Sequence, residues 1–265
     1  MRPHPALRIP LYLIACLVSL NLAGIVLGLA GPADPTAAAL LGVTFATWLA
    51  VRHLDGERLA DLGLAWRPAV LPDFLLGLCL PAVLLAAVFA LEWSAGWLLP
   101  AGIRPGGWTS AAGMLWRFGA VAWYEEIFFR GYLLRNLERL TGLFRANLLT
   151  AVVFAGLHAL NPHATPMALL GVALAGLFLG FTRQATRSLH LPLAFHFSWN
   201  LSQGLLGYPV SGVGEFGLLR LVRDGPALLT GGPFGPEAGL LGFAAILVAM
   251  GVVRHYTKRR VKTET

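Results

Sequence analysis

The chain has 265 residues, of which 57% are hydrophobic and only 12% charged. A soluble domain carries roughly 25% charged residues; half that charge, with repeated apolar runs of about twenty residues, excludes a soluble domain and reads as a polytopic membrane protein. The net charge of +7 does not point to nucleic acid, because the cations sit in short loops between the apolar runs.

Lipid offers the backbone no hydrogen-bond partner, so spans are helices or a closed barrel. These runs are apolar all round and lack the period-two alternation of barrel strands, so helices are expected. The fold class is therefore all-α: a polytopic transmembrane bundle of about eight helices, one integral membrane domain over 1–265, with the active site inside the bundle. Arg2 and Arg8 precede the first span, about 9–30. A second, about 36–51, follows the turn Gly31-Pro32-Ala33-Asp34-Pro35. A polar loop from Arg52 to Asp73 also holds Arg58 and Arg67, and a third span covers about 74–93. The loop from Leu98 to Thr109 holds only Arg104. The fourth span, about 111–134, ends in Arg135, Arg139 and Arg145; the fifth, about 146–160, is stopped by Asn161-Pro162. The sixth, about 166–181, is followed by Arg183 and Arg187, and the seventh covers about 191–206. A Gly/Pro-rich loop spans 207–236, an eighth span about 238–253, and a basic tail 254–265.

An even span count puts both termini on one face, and that face gathers nearly all the cations outside the spans. The positive-inside bias makes it cytoplasmic, with the loop 207–236 extracytoplasmic. The expected location is multi-pass in a membrane, the plasma membrane if the chain is bacterial. Trp93, Trp97 and Trp108 are expected at the outer interface. Cys16 and Cys79 lie in apolar runs and read as small core residues, without disulfide or zinc spacing. Gly24–Gly28 and Gly176–Gly180 read as close helix packing.

The chemistry concentrates in Trp123-Tyr124-Glu125-Glu126-Ile127-Phe128-Phe129-Arg130. Ionisable groups inside an apolar run are expensive and mark a functional site. On a helix, Glu126 and Arg130 share a face with the acid N-terminal, the favourable order for a pair. Glu125 is turned about 100° away and stays free for chemistry. His158 and His196 are the histidines well inside spans, and Asn200 shares a face with His196. A carboxylate with two imidazoles and an amide suits hydrolysis in two ways. Glu125 and His158 share a water as general base while His196 and Asn200 donate to the oxyanion. Alternatively, Glu125, His158, His196 and Asn200 hold Zn²⁺, which acidifies its bound water. The residues leave both open.

The sequence resembles the CPBP family of intramembrane endopeptidases, also called CAAX proteases, bacteriocin-processing enzymes or Abi proteins. Its signatures EExxxR, FxxxH and HxxxN match Glu125-Glu126…Arg130, Phe154…His158 and His196…Asn200, in order. The resemblance covers a core of about 110–206 and departs at none of these positions. It implies a membrane peptide hydrolase, a metalloprotease on one reading, that acts within or beside the bilayer. In its best-known members, the CAAX prenyl proteases, it removes the last three residues of prenylated CaaX proteins. By the match, Glu125 activates water with His158, His196 and Asn200 stabilise the oxyanion or help bind metal, and Glu126 and Arg130 order the site. The partners expected are the lipid bilayer and a peptide or membrane-protein substrate, prenylated or bacteriocin-like, with no nucleic acid. Two other classes compete: a membrane transporter or proton relay using the same titrating groups, and a peptide-binding immunity scaffold. His163 reads as a loop histidine at the interface, and the loop 207–236 as a lid over the site.

Overall fold

The computed structural model describes residues 3–32, 34–104, 107–214 and 217–263, the side chains of 107–109 and 260–263 excepted. Arg2, the side chains of Trp108, Arg260 and Lys262, and the last two residues of the expected tail therefore lie outside the described residues.

The helices stand where the apolar runs place them. They are α1 (Pro5–Ala30), α2 (Pro35–Ala50), α3 (Leu71–Ser94), α4 (Gly107–Glu126), α5 (Leu134–Thr141), α6 (Leu143–His158), α7 (Pro166–Thr186), α8 (His190–Leu206), the single turn α9 (Ala227–Thr230) and α10 (Leu240–Thr263). Local chemistry starts them: Asp34 accepts from the Thr36 amide at 2.9 Å ahead of Pro35, and Thr165 accepts from the Ala168 amide at 3.1 Å ahead of Pro166. Among the described residues, five stretches are long and apolar enough to cross a membrane: Pro5–Ala30, Pro35–Asp55, Pro68–Ser94, Pro166–Thr186 and Leu240–Arg259. The helices α4, α6 and α8 fall short of that measure, α6 and α8 with 16 and 17 residues. These three carry the polar site residues, and groups that serve a site lower a span's hydropathy. The outer faces suit lipid: on α1, Leu13, Ile14, Leu17, Ile25 and Val26 are all exposed.

Among the described residues the helices bury four apolar clusters, the smallest around Met114, Phe118 and Val210. Leu85, Phe178, Phe195, Trp199 and Ile246 fill one; Tyr12, Val43, Ile127, Tyr132 and Leu189 a second; Phe129, Phe154, Val172 and Phe234 a third. α3 lies along α8, where Gly77 allows the approach: a Cβ there would stand 2.7 Å from the Ala194 Cβ and the Leu191 carbonyl oxygen. Gly176 and Gly180 do mediate close packing, since a Cβ on Gly180 would overlap Asn147. Gly24 and Gly28 do not; open space surrounds both, and the Gly-xxx-Gly reading of α1 is corrected. Cys16 is buried as expected, whereas Cys79 is exposed on the outside of α3.

The two ends of the bundle differ. At one, Asp55 binds Arg8 and Arg139, and Glu57 binds Arg135, tying α1 and α5 to the turn after α2. At the other, the stretches read as loops pair as strands: β1 (Leu98–Ile103) runs antiparallel to β2 (Leu219–Arg223), with Leu98 opposite Arg223 and Pro100 opposite Leu221. Pro100 and Gly102 hide β1 from a propensity reading, but an isolated two-stranded edge tolerates both. The stretch 207–236 is packed rather than loose. A Cβ on Gly212 would fall 2.0 Å from the Pro162 carbonyl oxygen, and the Gly212 amide donates to Phe234 O at 2.7 Å.

Candidate active site

Adjacent carboxylates can take different tasks only if their environments differ. Glu125 and Glu126 end α4, which continues into a wider π-type turn over Ile127–Leu133 and then into α5. Such turns inside helices recur at functional sites. Glu126 is completely buried, and its Oε1 accepts from Arg130 Nη1 at 2.8 Å and from His196 Nδ1 at 2.9 Å. Arg130, equally buried, also donates to the Gly176 carbonyl at 3.2 Å, and its guanidinium carbon stands 4.5 Å from the Phe154 ring centroid. A buried ion pair of this kind persists because each charge is hydrogen-bonded as well as paired.

Glu125 points elsewhere. It lines a cavity of about 290 Å³ together with His158, His196 and Asn200. Its Oε2 stands 3.8 Å from His196 Nε2. His158 Nδ1 donates to the Phe154 carbonyl at 2.8 Å, so the proton sits on Nδ1 and Nε2 is left as an acceptor. The Glu126 contact fixes the His196 ring in the same way, with Nε2 free of a hydrogen bond in this arrangement. The structure thus gathers all six residues chosen from the sequence: Glu125, His158, His196 and Asn200 on the cavity, and Glu126 with Arg130 behind them. His163 is apart, exposed in the turn after α6 with φ of 59°.

Among the described residues, no three His, Cys, Asp or Glu side chains come together as a metal-holding group. A catalytic zinc takes three protein ligands. The residues that would hold a zinc are Glu125, His158, His196 and Asn200, and no step below is routed through it.

Residues 107–202 match the family described as Rce1-like, type II CAAX prenyl endopeptidase. Over this segment the chain is similar to the Rce1-like family, a family of peptide hydrolases. The match runs from the start of α4 into α8, leaving α1 to α3 and everything beyond α8 outside it. No curated protein matches the chain significantly.

The Rce1-like segment does not build the whole cavity. Thr36 at the start of α2 and Val210, Ser211 and Val213 beyond α8 complete the lining, with Arg117, Tyr124 and Asn161 from within the segment. Sequence reasoning missed these residues, because none lies in a pattern with the motif residues. Asn161 alone gave a signal, as a polar residue three past His158, but it reads there as a helix stop.

Proposed function

We propose that the chain is an intramembrane endopeptidase in which Glu125 and His158 activate a water molecule against a peptide carbonyl. The observation that carries this reading is the split between the two carboxylates. Glu126 is consumed by Arg130 and His196, whereas Glu125 faces the cavity, and among the described residues His196 at 3.8 Å is the ion-pair partner recorded for it. Water bound between Glu125 and His158 Nε2 meets two acceptors, loses a proton to Glu125, and its oxygen adds to the scissile carbonyl carbon. The oxyanion that forms needs donors. The Asn200 amide supplies one without any change of protonation; His196 supplies a second as the imidazolium, with Glu126 as its counter-charge. Collapse breaks the C–N bond, and the proton held by Glu125 passes to the leaving amine. Glu126 and Arg130 are positioning residues that hold the His196 ring.

The substrate class is a peptide or membrane protein presented at the bilayer, prenylated or bacteriocin-like. From the charge bias we infer cytoplasmic termini with the β1–β2 end outside, at the plasma membrane if the chain is bacterial. The test offers the purified protein in lipid a farnesylated CaaX peptide and an unbiased peptide library, with products read by mass spectrometry. Wild type is expected to yield discrete products that Glu125→Gln and His158→Ala lose. Products common to all three proteins would end the reading. A chelator arm reads the zinc alternative: unchanged products support carboxylate-activated water, and their loss restores the metal.

A further inference from the structure

Beyond the catalytic residues the cavity continues into a second, smaller pocket that the mechanism does not use. It shares His158, His196, Asn200 and Ser211 with the main cavity and is otherwise walled by apolar side chains such as Phe154, Leu179, Trp199 and Ile246. One charged group breaks that wall: Glu237, in the short turn Pro236–Ala238 just before α10. Its side chain is buried, 7% exposed. Oε1 accepts from the Ser211 amide and from Ser211 Oγ, both at 3.2 Å, while Oε2 is buried with no hydrogen-bond partner. Gln203, completely buried beside it, makes no hydrogen bond of normal length, though its side-chain amide still pulls on the Glu237 carboxylate.

The chain goes to some length to hold this carboxylate in place. A Cβ on Gly171 would lie 1.8 Å from the Glu237 carbonyl oxygen, and one on Gly242 would lie 1.9 Å from that of Pro236. The turn is therefore clamped between α7 and α10 by two glycines. Ser211 in turn accepts from Asn161 Nδ2 at 2.9 Å through its carbonyl, with its own backbone at a left-handed φ of 48°. An orphaned buried acceptor is costly, more so if charged, and an apolar residue there would avoid that cost. A clamped but unsatisfied acceptor beside reacting groups has the form of a recognition group awaiting its donor.

We propose that Glu237 is a specificity-determining residue: it floors a subsite for a short substrate side chain that donates a hydrogen bond, a hydroxyl, thiol or amide on a one-carbon stem, next to the scissile bond. This rests on the endopeptidase reading. Size sets the class. The pocket offers about 40 Å³, and a water needs roughly 10–15 Å³ by the same measure, so about three to four non-hydrogen atoms fit. Lysine, arginine and aromatic side chains are too long, and alanine or valine would leave Oε2 unpaired.

Two experiments test it. In the first, wild type and Glu237→Gln cleave a peptide library randomised on both sides of the cut. Glu237→Gln keeps an oxygen for Ser211 and turns the inward atom into a donor. Wild type is expected to favour Ser, Thr, Cys or Asn over Ala at one flanking position by about tenfold, the worth of one hydrogen bond of roughly 1.4 kcal/mol, and Glu237→Gln to lose that preference. The same preference in both proteins would overturn the proposal. The second reads binding without hydrolysis, on the Glu125→Gln protein. The tripeptide amide Ala-Ser-Ala should raise the melting temperature more than Ala-Ala-Ala, and adding Glu237→Gln should erase the difference. Equal shifts would overturn the subsite. If wild type cleaves nothing while the binding difference appears, the endopeptidase reading fails and the subsite stands.

Discussion

Glu126 accepts from an arginine and a histidine through one oxygen, and so couples the charge balance of the site to the aim of His196. Removing one partner of such a buried pair strands the other charge, at about 3–5 kcal/mol. Arg130→Leu is therefore expected to lower unfolding stability in detergent by that amount, and Glu125→Gln to leave it within about 0.5 kcal/mol; denaturant melts of the two variants check the contrast. The general base contributes on the order of 10²–10⁴ in rate, so Glu125→Gln, though folded, should lose at least a hundredfold in kcat. Glu237 gives a pH signature. Burial pushes its carboxyl up to about 7 from 4.5, against the pull of the backbone, Gln203 and Ser211 contacts. The folded chain thus holds this proton more tightly than the unfolded chain. The stability it contributes is complete below about pH 4.5 and is lost as pH rises through about 7, about 3 kcal/mol in all. The difference in melting temperature between wild type and Glu237→Gln, followed from pH 4.5 to 8, should therefore move against wild type as pH rises. A flat difference would contradict the burial argument.

The elements that carry the motifs were legible because each motif states its own geometry. Four-residue spacing puts Glu126 with Arg130, and His196 with Asn200, on one helix face, and the apolar runs around them read as helices. Three features were not legible. The π-type turn over Ile127–Leu133 has no composition that marks it. The β1–β2 pair joins segments over a hundred residues apart, and Pro100 argues against a strand. Glu237 stands far along the chain from the motifs and reaches the site only because Gly171 and Gly242 let its turn sink between α7 and α10. The glycines themselves yield a test. Gly171→Ala should force the Glu237 turn to shift, at roughly 1–3 kcal/mol for overpacking. Gly24→Ala and Gly28→Ala, on an open face of α1, should be neutral or stabilising by up to about 1 kcal/mol. Thermal melts of the three variants separate the cases, and equal effects would mean that the clamp is not tight.

The molecule as a whole is a bundle with a basic rim at one end and the strand pair at the other. The catalytic cavity leads away from the basic rim: its lining beyond the motif residues is Thr36, just past the α1–α2 turn, Arg117 in the first half of α4, Asn161 after α6, and Val210 to Val213 after α8. If the rim is cytoplasmic, as the charge bias proposes, the site receives its substrate from outside. In a chain with Cys16 and Cys79 replaced by Ala, Thr36→Cys should react with a membrane-impermeant maleimide on intact cells. Arg58→Cys, on the rim, should react only after permeabilisation; the reverse pattern would turn the molecule over. The central claim is that Glu125, freed by the Glu126–Arg130 pair, activates the attacking water. Its most direct test is single-turnover cleavage of one library-derived peptide by the lipid-reconstituted protein, comparing wild type, Glu125→Gln and Glu126→Gln. The account predicts that Glu125→Gln abolishes the chemical step in a protein that still binds the peptide, while Glu126→Gln slows it and retains measurable turnover. Full cleavage by Glu125→Gln would contradict it.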